Sequence, residues 1–136
     1  MKNILLLAIC LITILSCQSS SKEEIDEYRI TEMYERIETA FEVDDIYTIM
    51  QQYHDDFYHE FEDLSSIEYY WTNMVFNHDE IKFSNIEITY QTKRQVKISA
   101  TVTIDGAEYN LQEDIDHLQF LYKDNDVWKI IGNQLY

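Results

Sequence analysis

The stretch from Val96 to Ile104 alternates apolar and polar residues without interruption, and the positions between the apolar ones are filled by Lys97, Ser99, Thr101 and Thr103. Successive side chains of a strand point to opposite faces, so this pattern predicts a β-strand with one buried face. Asp105-Gly106 then predicts a tight hairpin turn into a strand carrying Ala107, Tyr109 and Leu111. Such a strand needs other strands beside it and an apolar layer over its buried face.

Three further stretches predict the other strands. The first covers Ile81 to Tyr90, where the apolar phase slips and indicates a bulge at Ser84-Asn85. The other two cover about residues 117–122 and 127–134, and Asp124-Asn125-Asp126 forms the turn between them. Gly132 is unusual because it falls inside the last strand. Together these strands predict an antiparallel sheet.

Helical periodicity fills the chain before the sheet. A first helix is predicted over residues 22–42, after a capping box Ser21-x-x-Glu24. A second follows a cap at Asp44 or Asp45, and its apolar stripe runs on through Ile46, Met50, Tyr53 and Phe57. A third starts at a capping box Ser65-x-x-Glu68 and presents Ile67, Tyr70, Trp71 and Met74. Helices followed by strands predict an α+β fold with three N-terminal helices packed on the sheet.

The N-terminal sequence MKNILLLAICLITILSC predicts an export signal. Lys2 is followed by an apolar run from Ile4 to Leu15, which is shorter than the roughly 20 residues that span a bilayer. Ile14-Leu15-Ser16-Cys17 resembles a bacterial lipobox, which implies cleavage before Cys17 and acylation of its sulfur. The alternatives are an ordinary secretory signal cut elsewhere and an uncleaved anchor helix.

These features divide the chain into a signal peptide (1–16), a lipidated Cys17 with a flexible tether (17–22) and one domain (23–136). The predicted location is the bacterial cell envelope, with the domain outside the cytoplasm and palmitate-type acyl chains holding it to a membrane. If the cell is Gram-negative we expect the outer membrane, because Gln18 is not the aspartate associated with inner-membrane retention.

Charge and cysteine content exclude several classes of function. The formal net charge is −16, with 26 acidic and 10 basic residues, so the chain lacks the clustered Lys and Arg that nucleic acids require. Cys10 leaves with the predicted signal and Cys17 is consumed by the lipid, which excludes a disulfide, thiol catalysis and a cysteine-based zinc site. An acidic surface favours cationic partners over anionic ones.

The order of elements resembles the cone-shaped α+β roll of the nuclear transport factor 2-like superfamily, which includes ketosteroid isomerases and polyketide cyclases. Three segments carry the resemblance, namely 53–57 (YHDDF), 115–120 (IDHLQF) and 127–134 (VWKIIGNQ). The resemblance implies a single α+β roll whose three N-terminal helices pack on a curved antiparallel sheet of four to six strands.

The isomerase branch implies candidate catalytic residues, which match only in part. Asp116 falls where the family has a protonated acid that stabilises the enolate oxygen. The general-base position falls on Phe61 beside Glu60, and the tyrosine position falls one helical turn from Tyr34. The catalytic candidates are therefore Asp116, Glu60 and Tyr34, and the missing base argues against an isomerase of that kind.

Aromatic residues on three helices suggest a binding site inside the cone. Tyrosines on the three apolar faces can converge under the sheet with a tryptophan, and the predicted ligand-binding set is Tyr34, Tyr53, Tyr70, Trp71 and Asp116. For a chain this small, the favoured interpretation is a filled or nearly filled core. Strand alternation places Asp116 inward and His117 on the opposite face.

Residues with metal-ligating side chains cluster after the second helix, namely His54, Asp55, Asp56, His59 and Glu60. On a helix Asp55 and His59 would share a face and could hold a cation. A solvated cluster is the simpler interpretation, so we predict no metal and no cofactor.

The function predicted from the sequence is a lipid-anchored, non-enzymatic envelope domain that binds a small apolar ligand or an envelope protein. One alternative is a small isomerase- or dehydratase-like enzyme that uses an acid in the cone. The other is a homodimerising module that pairs through the sheet face formed by Lys97, Ser99, Thr101 and Thr103.

Overall fold

The computed structural model describes the backbone of residues 21–133 and the side chains of residues 26–133. The predicted signal peptide and Cys17 lie outside the described residues. The helices are α1 (Ser21–Glu42), α2 (Ile46–Met50), α3 (Leu64–Asn77) and α4 (Leu111–Asp114), with a 3-10 turn at Asp116–Leu118. The strands are β1 (Ile81–Gln91), β2 (Gln95–Ile104), β3 (Ala107–Asn110), β4 (Phe120–Asp124) and β5 (Val127–Ile130). None of the helices within residues 21–133 is long and apolar enough to span a bilayer.

Helix α1 buries one stripe of its surface against the sheet. Its apolar residues recur three and four positions apart and are fully buried from Ile30 through Met33, Tyr34 and Ile37 to Phe41. Near its start, the Asp26 carboxylate accepts a hydrogen bond from the Lys123 ammonium of β4 at 2.6 Å. The predicted helix is confirmed, and it begins one residue earlier than expected.

The second and third helices begin and end differently from the prediction. Asp45 caps α2 by accepting from the Thr48 amide at 3.0 Å, but the helix ends at Met50 and does not follow the stripe to Phe57. The backbone there hydrogen-bonds to the last strand: the His54 amide donates to the Ile130 carbonyl at 2.8 Å. For α3 the cap is Asp63, two residues before the predicted Ser65.

Strand β2 is the centre of the antiparallel sheet, and its alternation of buried and half-buried residues is as predicted. It pairs with β1 from Val96 to Ile104 on one edge. The other edge is divided, because β3 pairs with Thr101–Ile104 and β4 pairs with Gln95–Lys97. Strand β5 completes the sheet beside β4.

The predicted bulge in β1 and the predicted turn after β2 are both confirmed. The register of β1 slips after Ser84, where Asn85 has a φ of 52°, and slips again after Ile88. Asp105 and Gly106 both have positive φ, 49° and 82°, as a two-residue hairpin turn of this type requires.

The segment between β3 and β4 departs from the predicted strands. All of β3 is exposed, and Leu111 is buried from a helical turn instead of a strand. Asn110 causes this change, because its side chain accepts from the Gln112 amide at 2.9 Å and caps α4. Asp116 consequently lies in the 3-10 turn and not in a strand.

The fold class is confirmed: N-terminal helices precede an antiparallel sheet of five strands, in an α+β arrangement. The core between the two layers is large, aromatic-rich and continuous.

Candidate functional site

The aromatic residues predicted to bind a ligand fill the space between the helices and the sheet. Tyr34, Tyr53 and Trp71 are fully or almost fully buried, and Tyr70 is half-buried. The Trp71 indole donates a hydrogen bond to the Tyr53 hydroxyl at 2.8 Å, and the Tyr34 hydroxyl donates to the Leu118 carbonyl at 2.6 Å. Burial raises the pKa of both Tyr34 and Tyr53 well above the usual value, so both hydroxyls stay protonated.

Three of these aromatic rings surround His117. Its ring centroid lies 5.0 Å from that of Tyr70, 6.3 Å from that of Tyr53 and 6.4 Å from that of Trp71. Tyr34 packs elsewhere, with its ring 4.9 Å from that of Phe83. The structure therefore gathers Tyr53, Tyr70 and Trp71 around a histidine, while Tyr34 forms a separate contact.

His117, and not Asp116, points into the molecule, so the predicted orientation of these two residues was wrong. In a 3-10 turn neighbouring side chains do not alternate between two faces as they do in a strand. His117 is 6% exposed, whereas the Asp116 side chain is 43% exposed. Burial, and to a lesser degree His59, lowers the pKa of His117 to about 3, against a small opposing effect of Asp116. The His117 ring is therefore neutral at physiological pH.

His59 is buried beside Asp116, with its Nε2 3.1 Å from Asp116 Oδ1. The Asn133 amide donates to His59 Nδ1 at 3.2 Å. Because Nδ1 accepts this hydrogen bond, the ring proton of neutral His59 is assigned to Nε2, which faces the carboxylate. The pair is close, but it does not meet the geometry of a hydrogen bond.

Gly132 makes the position of His59 possible. A Cβ atom at residue 132 would lie 2.4 Å from the Tyr58 carbonyl oxygen and 2.9 Å from His59 Cβ, and its φ is +77°. Only glycine allows both the close approach and this backbone conformation. Gly132 lies two residues beyond the end of β5, so the strand predicted over residues 127–134 is shorter than expected. The glycine makes room for the loop that carries His59.

A two-residue turn follows His59. The His59 amide donates to the Glu62 carbonyl at 3.0 Å, and the Glu62 amide donates back to the His59 carbonyl at 2.7 Å. Glu60 and Phe61 at the tip both have positive φ, 45° and 81°. Phe61 is 92% exposed and points into solvent, so the residue at the family's general-base position takes no part in the interior.

The Glu60 carboxylate lies close to the His59 ring. Ligand atoms of His59, Glu60 and Asp116 all lie within 4.8 Å of one another. Of the three catalytic candidates, the structure thus brings Asp116 and Glu60 together, while the Tyr34 hydroxyl is bound to the Leu118 carbonyl.

We call the group formed by His59, Asp116, His117 and Gln119 the polar mouth. Two of its buried atoms, His117 Nε2 and Gln119 Oε1, have no hydrogen-bond partner among the described residues, and His59 Nε2 has only the Asp116 carboxylate at 3.1 Å. Buried polar atoms in folded proteins are nearly always satisfied by protein, water or ligand. The polar mouth is therefore the part of the structure with unused hydrogen-bonding capacity.

A metal ion fits this cluster by distance but not by protonation. A metal would need the lone pair of His59 Nε2, and Nδ1 would then have to carry the proton. The Asn133 amide already donates to Nδ1, which opposes that tautomer. Asp55 and His59 do not share a helix face, because residues 51–62 form turns.

The predicted dimerisation face lies on the side of β2 opposite the core, where Lys97, Ser99, Thr101 and Thr103 are half-buried. The Lys97 ammonium lies 5.3 Å from the centre of the Phe120 ring, within the range of a cation–π contact. Dimerisation through this face stays a prediction.

The sequence did not predict that His59, His117 and Gln119 belong to the candidate site. The strand alternation expected for Asp116 and His117 hid the inward orientation of His117, and His59 was treated as part of a solvated cluster. The available signal was Gly132, since a glycine inside a strand often marks a close backbone approach.

Solved structures of other proteins have a similar arrangement of helices and strands. A candidate dehydratase of the nuclear transport factor 2-like family from Streptomyces avermitilis matches with a TM-score of 0.52 and 9% identity, over 82% of this chain and 94% of that one. The chain has the nuclear transport factor 2-like fold.

Two other structures agree with this fold. A candidate aromatic ring hydroxylase from Novosphingobium aromaticivorans matches with a TM-score of 0.59 and 14% identity, over 79% of this chain and 85% of that one. Rv3472, a protein of unknown function from Mycobacterium tuberculosis, matches with a TM-score of 0.60 and 12% identity, over 84% and 72%. No protein-family model and no curated protein matches the sequence. At these identities the likeness establishes the fold alone.

Proposed function

We propose that the chain is a lipid-anchored lipoprotein of the cell envelope whose roll domain binds a partner, a small ligand or a protein, without turning it over. The anchor is supported by the lipobox-like segment ending at Cys17. Two or three acyl chains, at about 0.8 kcal/mol for each buried CH₂, would hold the protein on a membrane without help from the acidic domain.

Two cysteines provide a matched test of the anchor. The full chain is produced in a bacterium fed with an alkyne analogue of palmitate, and labelling is followed for the wild type, Cys17→Ser and Cys10→Ser. We expect Cys17→Ser to abolish both the label and the recovery with membranes, and Cys10→Ser to change neither. Equal labelling of Cys17→Ser and the wild type would rule out acylation at Cys17.

The observation that carries a binding function is the contrast between a packed interior and an unsatisfied mouth. The interior aromatic residues are buried, and the hydroxyls of Tyr34 and Tyr53 are engaged in hydrogen bonds within the protein. The polar mouth offers two buried atoms without partners among the described residues, beside the pair formed by His59 Nε2 and the Asp116 carboxylate. This combination favours a polar group held at the mouth over an apolar substrate enclosed in the cone.

Ligand recovery from the full chain tests the binding function. The protein is incubated with the small-molecule fraction of an envelope extract, and bound and consumed compounds are measured by mass spectrometry. We expect one compound to be retained at about one equivalent by the wild type and to be lost in Gln119→Leu. Gln112→Leu, a change of the same kind on helix α4, serves as the control. Consumption of a compound without stoichiometric retention would contradict a non-enzymatic role.

An enzymatic role is the second candidate, and one observation favours it. His59 Nε2 lies 3.1 Å from Asp116 Oδ1, and the Glu60 carboxylate lies within 4.8 Å of the ligand atoms of both residues. A histidine beside two carboxylates is suited to proton transfer. In that case Asp116→Asn should lower turnover of the consumed compound by 10²-fold or more, while Asp114→Asn should leave turnover unchanged.

A further inference from the structure

The turn formed by His59, Glu60, Phe61 and Glu62, here called the Phe61 turn, presents an aromatic side chain almost entirely to solvent. At 92% exposed, Phe61 is the most exposed large hydrophobic residue among the described residues. Isolated apolar residues are common on protein surfaces and need no explanation by themselves. Phe61 differs from an ordinary exposed apolar residue in its backbone conformation.

The backbone of the turn is in a conformation that phenylalanine disfavours. Two-residue hairpin turns with positive φ at both central positions are normally built from Asn-Gly or Asp-Gly. Here the positions carry Glu60 and Phe61, with φ values of 45° and 81°. A bulky residue at positive φ is an outlier, and such strain persists only where the surrounding structure enforces it. Folding gains nothing from this choice, because the ring is in solvent.

Hydrogen bonds from the last part of the chain hold the turn in place. The Tyr58 amide donates to the Ile131 carbonyl at 3.2 Å, and the Glu60 amide donates to the Asn133 side chain at 3.2 Å. Gly132 packs closely against the Tyr58 carbonyl and His59 at the start of the same segment. The phenylalanine is therefore displayed from a preorganised support, which reduces the ordering cost of binding.

The acidic residues around the Phe61 turn restrict the charge of a partner that can bind there. Glu60, Glu62 and Asp63 are exposed around Phe61, and Asp116 lies beside Glu60. The chain as a whole carries a net charge of −16, which repels a second copy of itself as well as nucleic acids and anionic membranes. A complementary surface combines a pocket for an aromatic ring with lysine or arginine residues around that pocket.

We propose that the Phe61 turn is the docking anchor for a partner protein that receives Phe61 in an apolar pocket rimmed by lysine and arginine. This inference rests on the proposed binding function, and it specifies a protein partner and the side chain that enters it. The acidic collar steers the approach and the aromatic ring supplies the buried contact.

Photo-crosslinking in cells tests the anchor. The full chain carries p-benzoylphenylalanine in place of Phe61, and a second sample carries it in place of Phe76, which is 86% exposed on helix α3. We expect a discrete crosslinked protein from position 61 and none from position 76. The crosslinked peptide, mapped by mass spectrometry, should lie at an apolar pocket with an excess of Lys and Arg within one residue layer.

Affinity measurements then decide whether the crosslink reports an anchor. With the identified partner purified, Phe61→Gly should raise the Kd by about 30-fold or more, Phe61→Trp should restore most of the affinity, and Phe76→Gly should change it little. Raising the salt concentration from 0.15 M to 1 M should slow association. Glycine suits the positive φ at position 61, so loss of folding will not explain the loss of binding.

Each other outcome overturns the inference. These outcomes are equal crosslinking from both positions, a crosslink to a second copy of the chain, a pocket rimmed by acidic residues, and an unchanged Kd for Phe61→Gly. If Phe61→Gly binds like the wild type while Gln119→Leu still loses its retained compound, the docking anchor fails and the proposed function stands. If neither variant loses a partner, both fail.

Discussion

The interior of the roll and its mouth both contain buried polar atoms but meet their hydrogen-bonding needs in opposite ways. In the interior, the Trp71 indole and the Tyr53 hydroxyl bind each other, and the Tyr34 hydroxyl binds a carbonyl. At the mouth, His117 and Gln119 each keep a buried polar atom without a partner among the described residues. The two regions adjoin, because His117 packs against Tyr53 and Trp71.

This difference indicates that the two regions serve different purposes. A satisfied, close-packed interior contributes stability and leaves little to gain from a ligand. Buried groups without partners lower stability in the free protein and can recover that free energy on binding. The backbone agrees with this division, since Glu60, Phe61 and Gly132 around the mouth all have positive φ.

The largest effect is expected where the mouth depends on a single glycine. Gly132→Ala should lower the free energy of unfolding by about 3 kcal/mol, because the new Cβ meets the Tyr58 carbonyl and also strains the backbone. Gly106→Ala is the matched control: its φ is +82°, but nothing lies within 4 Å, so we expect only about 1 kcal/mol. Urea unfolding of both variants measures the difference. Equal losses would mean that the close approach at residue 132 is unimportant.

In the interior, removal of one hydroxyl should have a clear cost. Tyr53→Phe should lower the free energy of unfolding by about 2 kcal/mol, because it leaves the buried Trp71 indole N–H without an acceptor. Tyr47→Phe, at a position 74% exposed, should change it by less than about 0.5 kcal/mol. A neutral Tyr53→Phe would show that the interior is less tightly satisfied than the structure indicates.

Acid should weaken the mouth through His117. Its pKa is about 3 in the folded protein and near 6.5 when unfolded, so the unfolded chain binds the proton more readily. The contribution of this residue is complete above pH 6.5 and is lost as the pH falls from there towards 3. Between pH 8 and pH 5.5 the loss should be about 1.4 kcal/mol.

The contribution of His117 can be isolated by measuring the unfolding free energy at pH 8 and pH 5.5. The proteins to compare are the wild type, His117→Leu and His54→Gln. Only His117→Leu should remove it from the pH dependence. The same dependence in His117→Leu and in the wild type would assign the acid sensitivity to other groups.

The smallest predicted effect is an increase in the free energy of unfolding, whereas the other substitutions are expected to lower it. Phe61→Gly should raise the free energy of unfolding by about 1 kcal/mol, because glycine relieves a positive φ that costs phenylalanine free energy. Phe76→Gly, in a helix, should lower it by about 0.5 kcal/mol or more through reduced helix propensity. Thermal unfolding shifts of opposite sign would confirm that the turn is strained, and shifts of the same sign would refute it.

The comparison also shows which parts of the molecule the sequence could predict. The stripe of α1, the alternation of β2 and the Asp105-Gly106 turn are local patterns, and the structure confirms each of them. The end of α2 was missed because Tyr53 pairs with Ile130, far away in sequence, and this pairing overrides the helical stripe.

The mouth was missed for the same physical reason. His59 is placed by Gly132 and Asn133, more than seventy residues later, and His117 is placed by a helical turn that Asn110 caps. Interior aromatic residues can be found from their spacing on helices, but a site assembled from two loops and a 3-10 turn has no such periodicity.

The divided edge of β2 has a consequence for how the chain can fold. Thr101–Ile104 finds its partner β3 directly across a two-residue turn, whereas Gln95–Lys97 must wait for Phe120–Asp124. Strand β5, which carries the pairing of Ile130 with Tyr53, comes later still. Contacts between distant segments form slowly because a long loop must close first. The chain must therefore be synthesised as far as β5 before the sheet can close.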